Sequence, residues 1–424
     1  MNIRIYNARV LTMEQGKEIL FGEVHTNGNR ISYVGDAENA PKGTWDREID
    51  AKGNVIMPGF KNAHAHSGMT NLRSFADDLP LHDWLNKQIF PMEAKLTYDD
   101  IYHLSKLAIM EYLTSGITAS FDMYLQPDAM AQAAVECGYR TTIAGGLNNF
   151  SQSFELLEEW FNKYNDPEGL VNFQLGFHAE YTNSLENLEK LAALVQKYKA
   201  PINTHSSETA GEVEGCIERH GVTPTVLFNK LGMFDYGGSC YHCVYMTEED
   251  MEIMAEKGIC AVTNPGSNLK LASGIAPITA LLEKGVHVAI GTDGPASNNC
   301  LDMFREMFLV TGLAKVREND AAAVSADQVL RMATVEGAYA MGLKNADVLA
   351  EGKFADLIMI DLHQPNMQPI NNIEKNIVYS GSKQNVKLTM VNGKVLYENG
   401  EFFIGTPAED VYAKANEIIN SMRG

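Results

Sequence analysis

No run of basic residues occurs anywhere in the 424-residue sequence, and acidic side chains outnumber basic ones by 54 to 34, a net charge of −20. That imbalance excludes nucleic-acid backbones and anionic membranes as natural partners and suits a small neutral or cationic ligand. Cysteine is scarce: Cys137, Cys216, Cys240, Cys243, Cys260 and Cys300 form no disulfide framework. The segment Cys240-Tyr241-His242-Cys243 has the spacing of half a zinc knuckle, but no second half exists. No signal peptide and no apolar run of membrane-spanning length is seen, so the expected compartment is a reducing cytoplasm. A Gly-rich dinucleotide fingerprint after the first strand is also missing, which argues against an open nucleotide-binding sheet.

What the chain does have is a core. Hydrophobic residues make up 45% of it, ordinary for a globular protein of this size. Residues 1 to 56 alternate apolar and polar positions around Thr26-Asn27-Gly28-Asn29, the pattern of short antiparallel strands. The tail repeats it, with strands at Phe354–Asp361, Val386–Val391 and Val395–Tyr397, the last two flanking the hairpin signal Asn392-Gly393. Between these ends runs a strand-then-helix rhythm. Strands are predicted at Val55–Phe60, Thr118–Met123, Thr141–Leu147, Phe173–Phe177, Pro201–Thr204, Ser239–Tyr241, Ile259–Thr263 and Val286–Gly291. Helices are predicted at Asp99–Thr114, Leu185–Tyr198, Glu248–Lys257 and Ile275–Glu283. Eight such units imply an α/β fold with a closed (β/α)8 TIM barrel over residues 57–355. The two ends, too short to hold cores of their own, are expected to join as one composite β-sandwich from residues 1–56 and 356–424.

Function in such barrels gathers where strands end. His64-Ala65-His66 closes the first predicted strand, and residues two apart on an extended segment project to one face. His178 ends the fourth strand, His205 the fifth, His242 the sixth and Asp293 the eighth. Each has a plain structural reading: His178 as a core histidine, Asp293 as a turn residue, Glu208 as a first-turn helix acid. Together they have a chemical one. His64, His66, His205 and Asp293 suit one divalent metal with an open position for water, with zinc first and iron or manganese tolerated by the same ligands. Glu208, three residues beyond a ligand, can shuttle a proton to a leaving group; His242 can orient or polarise the attacked centre; Asp293 can take a proton from the nucleophile. The implied reaction is hydrolytic displacement at an sp² carbon. His25, His82, His103, His220, His287 and His363 read as surface or structural residues.

At these residues the chain resembles the amidohydrolase superfamily. Pro58-Gly59-Phe60 leading to His64-Ala65-His66, His205 with Glu208, His242-Cys243, Gly291-Thr292-Asp293-Gly294 and the tail segment from Glu351 to Ile358 carry the likeness. Binuclear relatives place a bridging carboxylated lysine after the fourth strand, where this chain reads Gly176-Phe177-His178-Ala179-Glu180. The resemblance therefore implies a single metal. Within the superfamily the chain is similar to the 5′-methylthioadenosine/S-adenosylhomocysteine deaminases. That likeness implies substrate-contacting roles for Trp84, Glu93, His178, Glu208 and Ser297, with Glu93 on the ribose hydroxyls, and it implies a homo-oligomer. Trp84 also reads as a core aromatic and Glu93 as a helix-entry acid. Where relatives hold the homocysteine carboxylate with arginines, this chain reads Ala144-Gly145-Gly146-Leu147-Asn148-Asn149-Phe150, and Arg140 falls on the other side of the barrel. Because a buried carboxylate without a cation is costly, adenosine, 5′-deoxyadenosine and 5′-methylthioadenosine are the expected substrates ahead of S-adenosylhomocysteine. Two other readings stand beside this one: an aminohydrolase or chlorohydrolase of another heterocycle (guanine, a pterin or an s-triazine), and a non-catalytic ligand-binding scaffold.

Overall fold

The computed structural model describes residues 1–79 and 83–423; His82 lies outside the described residues. Two sheets organise the chain. The first is built from both ends: β1 (Ile3–Val10), β2 (Leu20–Asn27), β3 (Arg30–Gly35), β4 (Arg47–Asp50) and β5 (Val55–Pro58). The second is a barrel of β6 (Phe60–Ala65), β7 (Ile117–Asp122), β8 (Arg140–Ala144), β9 (Val171–Gly176), β10 (Ile202–Ser206), β11 (Gly238–His242), β12 (Ile259–Thr263) and β13 (His287–Ile290). The chain then returns to the first sheet with β14 (Leu357–Ile360), β15 (Val386–Val391), β16 (Lys394–Glu398) and β17 (Glu401–Phe402), which makes it nine-stranded. The two ends meet where β14 pairs antiparallel with β5, Leu357 opposite Pro58.

The barrel strands run parallel in sequence order, as strand–helix units require. Closure comes from Asp293, which bridges in parallel to Ala65, its N–H donating to the carbonyl of His64 at 3.0 Å. The helices that wrap the barrel start where side chains can satisfy their free N–H groups. Thr97 with Asp100 and Thr247 with Asp250 form reciprocal capping boxes for helices Tyr98–Thr114 and Glu248–Lys257. The helix expected at Ile275–Glu283 begins only at Ile278, since Pro277 sits at its cap.

The strand expected at Val55–Phe60 is in fact two. Val55–Pro58 belongs to the terminal sheet and Phe60–Ala65 opens the barrel, with the break at Gly59. A Cβ there would stand 2.0 Å from Thr118 Cγ2, so only glycine lets the chain cross between sheets at this point. The two bodies are also joined by Arg140. Its guanidinium pairs with the buried Asp356 at 2.6 Å, donates to the Gly169 carbonyl at 2.7 Å and lies 4.0 Å from the Phe354 ring. It stands at the start of β8, the end of the barrel away from the strand-end histidines. The final helix, Ala408–Arg423, does not join the terminal sheet. It packs on helix Tyr98–Thr114 and on the turn Ser67–Leu72 that follows β6. Among the described residues no helix is long and apolar enough to cross a membrane.

Candidate active site

His64 is the last but one residue of β6 and His66 the first beyond it, and the strand's alternation brings both rings to the barrel mouth. Asp293 Oδ1 lies 3.5 Å from His64 Nε2 and 3.2 Å from His66 Nε2. The Nε2 atoms of His66 and His205 are 3.4 Å apart. Two trios, His64/His66/Asp293 and His64/His205/His242, each present ligand atoms within 4.8 Å of one another. The four residues expected to bind metal thus converge, and His242 joins them.

The surrounding hydrogen bonds set which nitrogen faces inward. His66 Nδ1 donates to the Met123 carbonyl at 2.5 Å, and His205 Nδ1 to the His178 carbonyl at 2.7 Å. Both rings thereby turn Nε2 toward the shared point, the arrangement common to metal-binding histidines. Fully buried His64 has no hydrogen-bond partner on either ring nitrogen; its ring stacks on Tyr241 at 3.9 Å. Orphaned buried polar atoms are rare in folded proteins. A cluster of imidazole lone pairs and one carboxylate around the same point fits a divalent cation.

The electrostatics agree. Burial, reinforced by the neighbouring imidazoles, holds His205 far below the usual histidine range. Burial likewise takes His64 down to about 3, against Asp293. Although burial opposes it, Asp293 carries His66 up to about 9. Burial would raise Asp293 itself, but His64 and His66 keep it well below the carboxylate range. The site therefore holds a fixed anion, with His64 and His205 kept neutral and a proton drawn onto His66 beside Asp293, where a cation would take its place.

Asp293 is anchored from behind. Ser267 and Ser297 hydroxyls donate to Oδ2 at 2.5 and 2.9 Å, and the Gly294 N–H donates to Oδ1 at 2.8 Å. Beyond the histidines, the buried Glu208 carboxyl stands 3.8 Å from His242 Nε2. Burial raises its pKa, with Asp293 adding to the rise and His242 opposing it. The next acid, Glu212, points back and accepts from the N–H groups of Ser207 and Glu208, both at 2.8 Å. His242 Nδ1 is paired with Asn268 Oδ1 at 2.7 Å. Ser207, His242 and Asp293 all adopt positive φ (56°, 76° and 58°), a strained backbone typical of functional sites.

These groups form the floor of a cleft with an empty volume of about 800 Å³. Trp84 and Glu93 stand on its wall, on either side of a segment that winds as a π-helical turn over Trp84–Ile89 before an α-helical turn ending at Glu93. His178 and Ser297 also line it, so the cleft brings together every residue singled out in the sequence apart from His64, which lies beneath its floor. Burial pushes Glu93 up to about 7, with the neighbouring Tyr124 hydroxyl opposing. Around Gly146–Gln152 the lining is neutral (Asn148, Ser151 and Gln152), and the described cleft has no arginine or lysine. Sequence reasoning gave no role to Ser267, Asn268, Tyr124 or the Met123 carbonyl. For the first two a signal existed: they lie in the segment Asn264–Leu271 after the seventh barrel strand, which winds as a short helix over Pro265–Lys270.

Comparison with known proteins places this geometry in context. Residues 55–396 match the amidohydrolase family. A 5-methylthioadenosine/S-adenosylhomocysteine deaminase from Moorella thermoacetica is 42% identical over 93% of this chain and 94% of its own. A zinc-bound adenosine deaminase from Xanthomonas campestris superposes with a TM-score of 0.94 at 31% identity, covering 99% of this chain and 98% of its own. Zinc-bound atrazine chlorohydrolase from Arthrobacter aurescens shares the fold (TM-score 0.91, 98% of this chain and all of its own) at 23% identity.

Proposed function

Because the chain belongs to the amidohydrolase family, we propose that it is a metal-dependent deaminase of an adenosine-type nucleoside. It converts adenosine, 5′-deoxyadenosine or 5′-methylthioadenosine to the inosine analogue and ammonia. The observation that carries this reading is the convergence of His64, His66, His205 and Asp293 beside the buried Glu208 and His242, at the floor of a cleft walled by Trp84 and Glu93. The names of its relatives in Moorella and Xanthomonas support the substrate class.

One zinc ion is the proposed occupant of His64, His66, His205 and Asp293. Bound there, it supplies the Lewis acidity that makes water nucleophilic near neutral pH. The absence of a lysine after β9, where His178 stands, supports a single ion. Asp293, its Oδ2 held by two serine hydroxyls, takes a proton from water as the new C–O bond forms at the ring carbon bearing the amino group. Glu208, its pKa raised by burial, gives a proton to the adjacent ring nitrogen. His242, oriented by Asn268, faces the attacked carbon and polarises it. The proton taken by Asp293 passes to the amino group, the C–N bond breaks and ammonia leaves, while the proton of the new hydroxyl returns to Glu208 and leaves the keto product. Glu93 accepts from the ribose hydroxyls, Trp84 covers the 5′ side, and His178 and Ser297 complete the pocket. With no cation in the described cleft, the carboxylate of S-adenosylhomocysteine has no partner. The proposed catalytic unit is residues 57–355, with residues 1–56 and 356–424 as its composite β domain, whose last helix, Ala408–Arg423, packs back onto the barrel. The chain works as a homo-oligomer in the cytoplasm, without nucleic-acid or membrane partners.

The test is a panel of nucleosides and free bases incubated with zinc-loaded protein, following ammonia release and the ultraviolet shift of adenine to hypoxanthine. Turnover of 5′-neutral adenosines above adenine, guanine, pterins and s-triazines is expected. Turnover of a free base alone, or of nothing, overturns the proposal.

A further inference from the structure

Glu306 lies in the first turns of helix Met303–Glu318 and is fully buried, yet no cation pairs with it among the described residues. Its carboxylate is satisfied by two loops instead. Oε2 accepts the Gly266 N–H at 2.8 Å, and Oε1 accepts the Asn298 side-chain amide at 2.9 Å. Gly266 precedes Ser267 and Asn268, which hold Asp293 and His242. Asn298 follows Ser297, the second hydroxyl on Asp293. Asn298 is also tied by its amide to the Thr292 carbonyl at 2.7 Å and by its N–H to the Gly294 carbonyl at 2.9 Å, one on each side of Asp293. Glycine is required at 266, where a Cβ would stand 2.5 Å from Glu306 Oε1 and 2.8 Å from Asn298 Oδ1. The contact is therefore built closely around the carboxylate.

We propose that Glu306 is a positioning residue: its carboxylate clamps the loop after β12 to the loop after β13, and thereby fixes the two serine hydroxyls on Asp293 and the asparagine on His242. The proposal deepens the reading of the site given above and rests on it. A buried carboxylate without a cation is an expensive way to hold two loops. An apolar side chain of similar volume packs as well but leaves the Gly266 N–H and the Asn298 amide unpaired. The function of the acid is its paired acceptor geometry, which transmits alignment to residues it does not touch. Residues standing one step behind metal ligands typically change metal affinity 10- to 100-fold when removed.

Two readouts separate this role from a merely structural one. The first is zinc affinity, measured by chelator competition on protein without substrate. Glu306→Ala is expected to bind zinc 10- to 100-fold more weakly, and Glu306→Gln, which keeps an acceptor for Gly266, is expected to recover most of that loss. The second is a double-mutant cycle on kcat. Glu306→Ala is expected to lower kcat at least 10-fold with KM within about twofold, and adding Ser267→Ala to cost little more, because both act through Asp293. Should the alanine variant fail to fold, Glu306→Asp decides: it keeps the charge but is one methylene too short to span both loops, so the same weakening of zinc binding is expected. Wild-type zinc affinity in a folded Glu306→Ala or Glu306→Asp variant overturns the proposal, as do kcat losses that multiply in the cycle. Because zinc affinity needs no substrate, a failure of the deaminase reading stays distinguishable from a failure of this one.

Discussion

Replacing Glu93 by glutamine tests whether the cleft recognises a nucleoside or a free base. The side chain is half-buried on the cleft wall, and burial lifts its pKa to about 7. As a carboxylate it can accept from both ribose hydroxyls; as glutamine it keeps one neutral acceptor oxygen and has an amide that cannot accept from the second hydroxyl. A hydrogen bond to a charged group contributes about 1.5–3 kcal/mol. Losing one lowers kcat/KM for adenosine roughly 10- to 150-fold, at about 1.4 kcal/mol per decade. The sign of the pH effect follows from the raised pKa. Below about pH 7 the folded enzyme holds the proton on Glu93, the acceptor is lost, and kcat/KM falls by up to about tenfold per pH unit from this group alone. Glutamine cannot titrate, so the ratio of wild type to variant should be largest above pH 7 and shrink as pH falls. With 2′,3′-dideoxyadenosine the ratio should approach one at every pH. Initial rates by ammonia-coupled assay from pH 5.5 to 8.5 read all of this. An unchanged kcat/KM for adenosine at pH 8 refutes the ribose contact and with it the main reason for preferring a nucleoside.

Three further outcomes are expected. Glu208→Gln should lower kcat about 10²- to 10⁴-fold, the usual contribution of a positioned general acid, with bound zinc unchanged by elemental analysis. Chelation should abolish turnover and lower the melting temperature, both restored by zinc; free ion at 1,000 times Kd stabilises the folded chain by about 4 kcal/mol, so calorimetry should see it. His205→Ala should show neither effect. Arg140→Met strands Asp356 without its partner at the junction of the two sheets. Denaturant titration should show about 3–5 kcal/mol lost, while kcat in the folded fraction stays at the wild-type value because Arg140 sits at the far end of the barrel.

How much of this was legible in the sequence differs by level. Seven of the eight barrel strands were placed to within a few residues, because short apolar runs between helical patterns have little else to become. The exception is instructive: Val55 to Phe60 is one apolar run, and only Pro58-Gly59 marks that it serves two sheets. The histidines proposed to hold the metal were legible because they recur at strand ends, the rim at which function gathers in barrels of this kind. Ser267, Asn268 and Glu306 were not, since each is an ordinary helix or loop residue whose importance lies in what it holds. Nor could the positive φ of His242 and Asp293 be read, because neither position carries the glycine that usually announces it. The docking of Ala408–Arg423 on the barrel also escaped, since an amphipathic pattern shows which face is covered but not by what.

The site and the fold are closed by the same bonds. A parallel barrel needs its first and last strands to meet, and here they meet at Ala65 and Asp293, between the two histidines of the opening motif. The N–H of Asp293 donates to the backbone of His64 while its carboxylate faces the imidazoles of His64 and His66. Residues on this seam are tied to one another: the Asp293 N–H bond to His64 joins the two strand ends, and slipping β6 by one residue turns both histidines away from the mouth. Rigidity at this point is inherited from closure, and closure is common to every barrel of this type. The cleft wall lies elsewhere, with Trp84, Glu93 and the neutral stretch around Gln152 on segments that carry no strand of the barrel. A site on the seam and a cleft wall carried by the loops separate the part of the molecule tied to barrel closure from the part free to vary without disturbing it.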